Sequence, residues 1–139
     1  MGQFKHSVDE KGRANLPARF RDGEAGGQFV ATRGLGRSLF LYPLGEWEKV
    51  LARLERQKAR VDPKQRRNYL QLMEHTADAA LDAQGRVTIP PHLAQHAGIK
   101  KEVLFVGAGE VIEMWDPATY RKYVGGSEKD FDAWMTNFL

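Results

Sequence analysis

The residues best suited to chemistry come as a repeated set. Asp9-Glu10-Lys11-Gly12-Arg13 returns, at a fixed offset of 73 positions, as Asp82-Ala83-Gln84-Gly85-Arg86, so an acid, a glycine and an arginine recur together. Asp can accept a hydrogen bond from backbone two residues on, and Gly supplies the positive φ of a tight hairpin turn with a bulge. Neither demand involves the arginine. An arginine held at one place twice therefore points to a use. A carboxylate four residues earlier, across a tight turn, is placed to grip its guanidinium by a bidentate pair and aim it. Such a guanidinium suits guanine O6/N7 in a DNA major groove, while the neighbouring Lys11 suits phosphate, which calls for charge and carries no sequence. Lys5, Arg19 and Arg21 extend the basic setting of the first motif. In the second motif Gln84 replaces the lysine, so Arg86 is expected to contribute less than Arg13.

Other chemistries are weakly supported by residue spacing. His92 and His96 stand at i and i+4 on an expected helix, a metal-compatible spacing with no evident third ligand. Glu74-His75 does not begin an HExxH motif, because the third residue after His75 is Asp78. The Gly34 and Gly107 clusters fall between strands and lack the spacing of a phosphate-binding loop. Ser7, Ser38 and Ser127 have no recognisable base or oxyanion partner. No enzymatic activity, cofactor or metal is expected.

Composition narrows the setting. The 139 residues include 21 Lys/Arg and 18 Asp/Glu and no cysteine, so disulfides and thiolate metal sites are excluded and a reducing cytosol is the default compartment. A mean hydropathy of −0.53 and the lack of a long apolar run argue against a membrane span, and the N-terminus lacks the apolar core of a signal peptide. The net charge of +3 conceals an asymmetry: residues 1–70 hold 15 cations and 8 acids, residues 71–139 hold 6 and 10. One basic half suggests a polyanionic partner or assembly between unlike surfaces.

The elements that must position the motifs also come in pairs. Phe4, His6 and Val8 alternate with polar residues as in a half-buried strand, and Arg13 starts a short returning strand. Pro17 suits the first position of a short helix ended by Asp22, Gly23, Gly26 and Gly27. Strands over 28–33 and 38–42 flank the Gly34-Leu35-Gly36 turn. Trp47, Val50, Leu51 and Leu54 mark one face of a helix running to about Arg60. Asp62-Pro63 caps a second helix burying Tyr69, Leu70 and Met73. The segment 49–67 carries eight basic residues and two acids, a solvated face or a subunit contact. The opening order then returns: strands over 77–81 and 86–89, a helix from Pro90-Pro91 to Gly98, strands over 103–106 and 111–115, and a helix capped by Asp116-Pro117. Without gaps, Asp9, Gly12, Arg13, Pro17, Val30, Gly34, Gly36 and Lys49 meet Asp82, Gly85, Arg86, Pro90, Val103, Gly107, Gly109 and Lys122, the mark of a tandem duplication. Each copy is too small to bury a core alone, whereas two can share one. Ser127 caps a last helix whose Phe131, Trp134, Met135 and Phe138 fall on one face, expected as core rather than as a docking surface.

Strand, DxxGR, short strand, Pro and helix in this order resemble the swapped-hairpin AbrB/MazE superfamily. Two copies in one chain, with HSVDEKGRANLPARFR opening it and LDAQGRVTIPP and EMWDPATY closing it, resemble the MraZ family over essentially the whole length. The resemblance implies a cytoplasmic, nucleoid-associated regulator that binds direct repeats of double-stranded DNA in the promoter of the division and cell-wall gene cluster, including its own gene, with repression the expected sense. It implies ring-shaped homo-oligomers, commonly octamers, presenting Arg13 and Arg86 with Asp9 and Asp82 as their acidic partners.

The resulting expectation is an α+β protein. Two tandem AbrB-like β-hairpin repeats, 1–48 and 77–124, form one pseudo-two-fold β-barrel core with flanking helices, joined by a helical connector (49–76) and followed by a C-terminal helix (125–139). DNA-binding residues are Arg13, Arg86, Lys11, Lys5, Arg19 and Arg21, supported by Asp9, Gly12, Asp82 and Gly85. An antitoxin-like protein-binding scaffold without promoter recognition is the competing expectation, and an RNA partner a third.

Overall fold

The strand expected over Phe4 to Val8 forms, but its partner is not the segment that follows it. The computed structural model describes residues 2–21 and 26–139. In chain order these form β1 (Gln3–Ser7), β2 (Arg13–Asn15), α1 (Ala18–Arg21), β3 (Phe29–Arg33), β4 (Leu39–Pro43), α2 (Leu44–Arg56), α3 (Arg66–Glu74), β5 (Ala77–Asp78), β6 (Arg86–Thr88), α4 (Pro91–Ala97), β7 (Glu102–Ala108), β8 (Val111–Trp115), α5 (Pro117–Val124) and α6 (Glu128–Thr136). Strand β1 pairs antiparallel with β7, and β2 pairs antiparallel with β6. Each DxxGR loop therefore links two different sheets instead of closing a hairpin.

The expected β-barrel is not a closed one. Six strands make an open antiparallel sheet in the order β1-β7-β8-β4-β3-β5, and β2-β6 is a separate two-stranded ribbon. Closure fails because the edge strands β1 and β5 do not pair with each other. Only Ala77 and Asp78 of the expected 77–81 strand join the ladder, although Ala79 and Leu81 still donate to Phe29 and Gly27 carbonyls.

The two copies are interleaved. Ala14 stands opposite its counterpart Val87 in the ribbon, and Phe40 opposite its counterpart Glu113 in the sheet. Leu16 N–H donates to the Gly85 carbonyl at 3.0 Å, and Ile89 N–H donates to the Gly12 carbonyl at 2.8 Å, the same bond with the copies exchanged. The core is correspondingly shared. Ala14 and Val87 of the ribbon, with Leu16 and Ile89 just after its two strands, pack with Phe29, Leu39, Leu41, Val103, Phe105 and Met114 from the sheet and with Leu93 of α4.

The register corrects the ungapped alignment over β3 and β7, where the offset is 74 in place of 73. Val30 stands opposite Asp78, whereas Lys5, the counterpart of Asp78, stands opposite Leu104. Val30 is thus equivalent to Leu104, and Phe29 to Val103. The extra residue lies in the β3-β4 turn, where Gly34 bonds Ser38 across 35–37, against the 109–110 turn between Ala108 and Val111.

Helix boundaries follow local chemistry. Proline at 90 precedes α4 as its cap, with Pro91 first in the helix, and Pro17 likewise stands just before α1. The expected ending of α1 at Asp22 and Gly23 lies outside the described residues. Helix α2 stops at Arg56 rather than Arg60, since Lys58 takes a positive φ of 52°. Asp62 does not cap α3: it holds a turn, accepting from Lys64 N–H and the Gln65 side chain, and α3 begins at Arg66 behind Gln65. Tyr69 and Met73 are half-buried, but Leu70, expected inside, is exposed.

The largest departure is α6. Ser127 caps it as expected, accepting from Asp130 N–H at 3.0 Å, yet Phe131, Trp134 and Phe138 are 59%, 56% and 64% exposed. The stripe expected as core is exposed, and its ring contacts among the described residues fall within the stripe, with ring centroids of Trp134 and Phe138 4.5 Å apart. No helix among the described residues is long and apolar enough to cross a membrane.

Candidate nucleic-acid interface

The two motif loops are built alike. Asp9 N–H donates to the Arg13 carbonyl at 2.9 Å and Gly12 N–H to the Asp9 carbonyl at 3.0 Å; Asp82, Arg86 and Gly85 repeat both bonds at 2.9 and 3.0 Å. The turn requires glycine, with φ of +78° at Gly12 and +76° at Gly85. Inside each loop the carboxylate divides its work. Asp9 Oδ1 accepts from the backbone N–H of Lys11 (3.0 Å) and Arg13 (2.8 Å), and Oδ2 accepts from Arg13 Nε at 2.8 Å. Asp82 does the same for Gln84, Arg86 and Arg86 Nε at 2.9, 2.9 and 2.8 Å.

The expected bidentate pair is therefore not formed. One carboxylate oxygen is committed to the turn, so the acid grips the guanidinium only at Nε. The Nη groups make no ion pair with a second carboxylate among the described residues. This fixes the arginine at Nε and leaves its Nη groups outside the pair.

Backbone donation from Arg13, supported by its side-chain bond and charge, holds the Asp9 carboxyl below its ordinary value against the opposing effect of desolvation, and Arg86 does the same for Asp82. A depressed carboxyl contributes its contacts above the ordinary value and loses them only as pH falls through the lowered one. Both loops stay set through the neutral range.

The ribbon brings the two arginines together. Arg13 stands opposite Thr88, and Arg86 opposite Asn15. Strand alternation turns Ala14 and Val87 into the core, where they are 1% and 0% exposed, and leaves Arg13, Asn15, Arg86 and Thr88 on the other face. Diagonal neighbours in an antiparallel pair lie about 7–8 Å apart, so the two arginines spring from neighbouring points of one face. Asn15 and Thr88 were not singled out from sequence; the alternation of Ala14 and Val87 with them was the available signal.

The remaining candidates separate. Lys11 belongs to the first loop and borders, with Gly12, Ala94 and Lys100, a groove of about 290 Å³. Lys5 points from β1 toward Glu102, 3.6 Å away, and is partly neutralised. Arg19 lies at the start of β1, where a Cβ on Gly2 would come within 3.3 Å of its Nη1. Arg21 goes to the second loop, its side chain lying against Gly85.

The histidines gather without forming a metal set. His75 stacks 6.0 Å from His92, and Arg37 Nη1 stands 3.5 Å from His96 Nδ1. Burial, then Arg33, Arg37 and His75, push His96 below the usual histidine value. Cations rather than carboxylates surround it, and no group of three metal-binding side chains occurs among the described residues.

The family described as "MraZ protein, putative antitoxin-like" matches residues 1–68 and again 72–137. The chain belongs to the MraZ family. Each MraZ match contains one motif loop, Asp9 to Arg13 in the first and Asp82 to Arg86 in the second. Curated relatives carry the name "Transcriptional regulator MraZ". That of Pediococcus pentosaceus is 38% identical, covering 100% of this chain and 96% of its own length. The Thermoanaerobacter pseudethanolicus protein is 36% identical, covering 95% and 91%, and the Lachnoclostridium phytofermentans protein 41% identical, covering 83% and 79%.

Proposed function

We propose that this protein is a sequence-specific DNA-binding transcriptional regulator whose contact surface is the exposed face of the β2-β6 ribbon with its two flanking loops. The observation that carries this reading is the placement of Arg13 and Arg86 on one ribbon face, each held at Nε and with no ion pair at its outer nitrogens among the described residues. A two-stranded ribbon fits the major groove, and arginine is the commonest reader of guanine there. The family membership and the relatives' names support the same reading. Its target is the promoter of the division and cell-wall gene cluster containing its own gene, and its action there is repression. The protein works in the cytoplasm, associated with the nucleoid.

The architecture behind this function is a tandem of AbrB-like repeats, 1–48 and 77–124, with 49–76 as connector and 125–139 as an added helix; that the family matches twice, over 1–68 and 72–137, supports the duplication. Gel shift on the promoter duplex across a salt series tests the reading. Tight binding with a steep negative dependence on salt is expected, because phosphate contacts release counterions. No binding at moderate salt would remove it. The "antitoxin-like" wording of the family description favours a protein-binding scaffold as second reading, which predicts that outcome. Preference for the same sequence as single-stranded RNA would point to the third.

The regulator acts as a ring-shaped homo-oligomer, with an octamer the expected size. Helix α6 supports this, since an apolar face of this kind is rarely left to water. It carries Glu128, Asp130 and Asp132 beside its aromatics, while the connector exposes Val61 (57%) and Leu70 (47%) beside Arg66 and Arg67. Docking of α6 on the connector of the next copy is a heterologous contact, the kind that closes rings. Truncation before Ser127 should convert the ring to smaller species on light scattering; an unchanged mass would exclude α6 from the interface.

A further inference from the structure

The absence of a lysine in the second motif invites the conclusion that its loop lacks a phosphate contact. The tertiary structure places another cation there. A Cβ added to Gly85 would collide with Arg21 Nη1 and would lie 2.9 Å from Arg21 Cδ and 3.1 Å from Cζ, so the side chain lies against this glycine. Arg21 belongs to the first repeat and is the last described residue of α1.

The same place in the other loop is instructive. At the offset relating the repeats, Arg21 corresponds to Ala94, Gly85 to Gly12 and Gln84 to Lys11. Ala94 of α4 does line the groove at the first loop, together with Gly12 and Lys11. Each loop thus receives a helix from the opposite repeat. The first combines its own lysine with a helix that offers alanine; the second combines its own glutamine with a helix that offers arginine. Besides its motif arginine, the first loop has Lys11 and, across the groove, Lys100, with Glu10 offsetting one of them, and the second has Arg21.

We propose that Arg21 is the phosphate-contacting residue of the second loop, standing in from the first repeat for the lysine that Gln84 replaces. The proposal rests on the DNA-binding reading above and deepens it. A phosphate contact tolerates such a transfer, because it needs positive charge near the backbone and not the strict geometry of base readout. The absence of a side chain at Gly85 is what lets the guanidinium approach; any Cβ there would displace it. The two loops are then comparable in charge, although their sequences differ.

The test uses the full chain and a fluorescent duplex of the promoter of its own gene cluster, with affinity measured across a salt series. Arg21→Gln should weaken binding up to roughly tenfold at 0.1 M salt, and lower the salt slope by about one for each second loop engaged. Lys11→Gln should do the same for the first loop, whereas Arg21→Lys should keep the wild-type slope. The double variant Arg21→Gln/Gln84→Lys should regain it, a recovery that a structural role for Arg21 would not give. An unchanged slope in Arg21→Gln while Lys11→Gln and Arg86→Ala lose binding would overturn this proposal alone, as would failure of Gln84→Lys to rescue. A wild-type protein that bound no duplex would overturn the DNA reading, and this assignment with it.

Discussion

Replacing Arg13 by alanine is expected to remove most specific promoter binding, and replacing Arg86 to do so to a comparable degree. A well-placed arginine on a base edge is worth about 1–3 kcal/mol of discrimination, roughly 5- to 150-fold per contact. The ribbon puts both arginines on one face, so under the proposed DNA-binding function losing either leaves half of a single surface. Loss should fall on the specific site and spare binding to unrelated DNA, opposite to the uniform weakening expected when a phosphate contact is removed. Gel shift with specific and scrambled duplexes separates the two. Wild-type affinity in Arg13→Ala would refute the interface. A clearly milder loss in Arg86→Ala would restore the ranking that Lys11 and Gln84 suggest on their own.

Phe105→Ala should cost about 3–5 kcal/mol of stability, the usual range for emptying a large buried aromatic site. Phe105 is 0% exposed, in the second repeat, opposite Phe4 of the first, with the His6 ring 6.0 Å away. Because the ribbon and the sheet each join both repeats, the loss should appear as one cooperative transition at lower temperature or denaturant. Two resolved transitions, one of them unshifted, would show that the repeats fold separately and that the core is not shared.

Some features were legible because they depend on neighbours along the chain. The Asp9 and Asp82 turns need only an acid that reaches forward and a glycine that accepts positive φ, and both form as local chemistry demands. The caps at Asp116 and Ser127 form for the same reason, each accepting from an N–H three residues on. Alternation of Phe4, His6 and Val8 identified β1. The shortfalls in the helices have local causes too: Lys58 breaks α2, and Asp62 spends its side chain on a turn.

Strand pairing was decided elsewhere. A strand's edges are satisfied equally well by a near or a distant partner, and nothing in residues 3–15 says that β1 will choose β7 or that β2 will choose β6. That choice put Arg13 and Arg86 on one face, carried Arg21 to the wrong repeat's loop, and left the expected barrel open. Burial of α6 was illegible for a related reason: an apolar stripe reports that a face wants cover, not which surface supplies it. By itself, then, the sequence determined the family and the two motif loops with their acid-held arginines, because motif chemistry and turn geometry are short-range. Only the tertiary structure decided that the loops are two edges of one ribbon, because long-range pairing is selected by the shared core that neither repeat can bury alone.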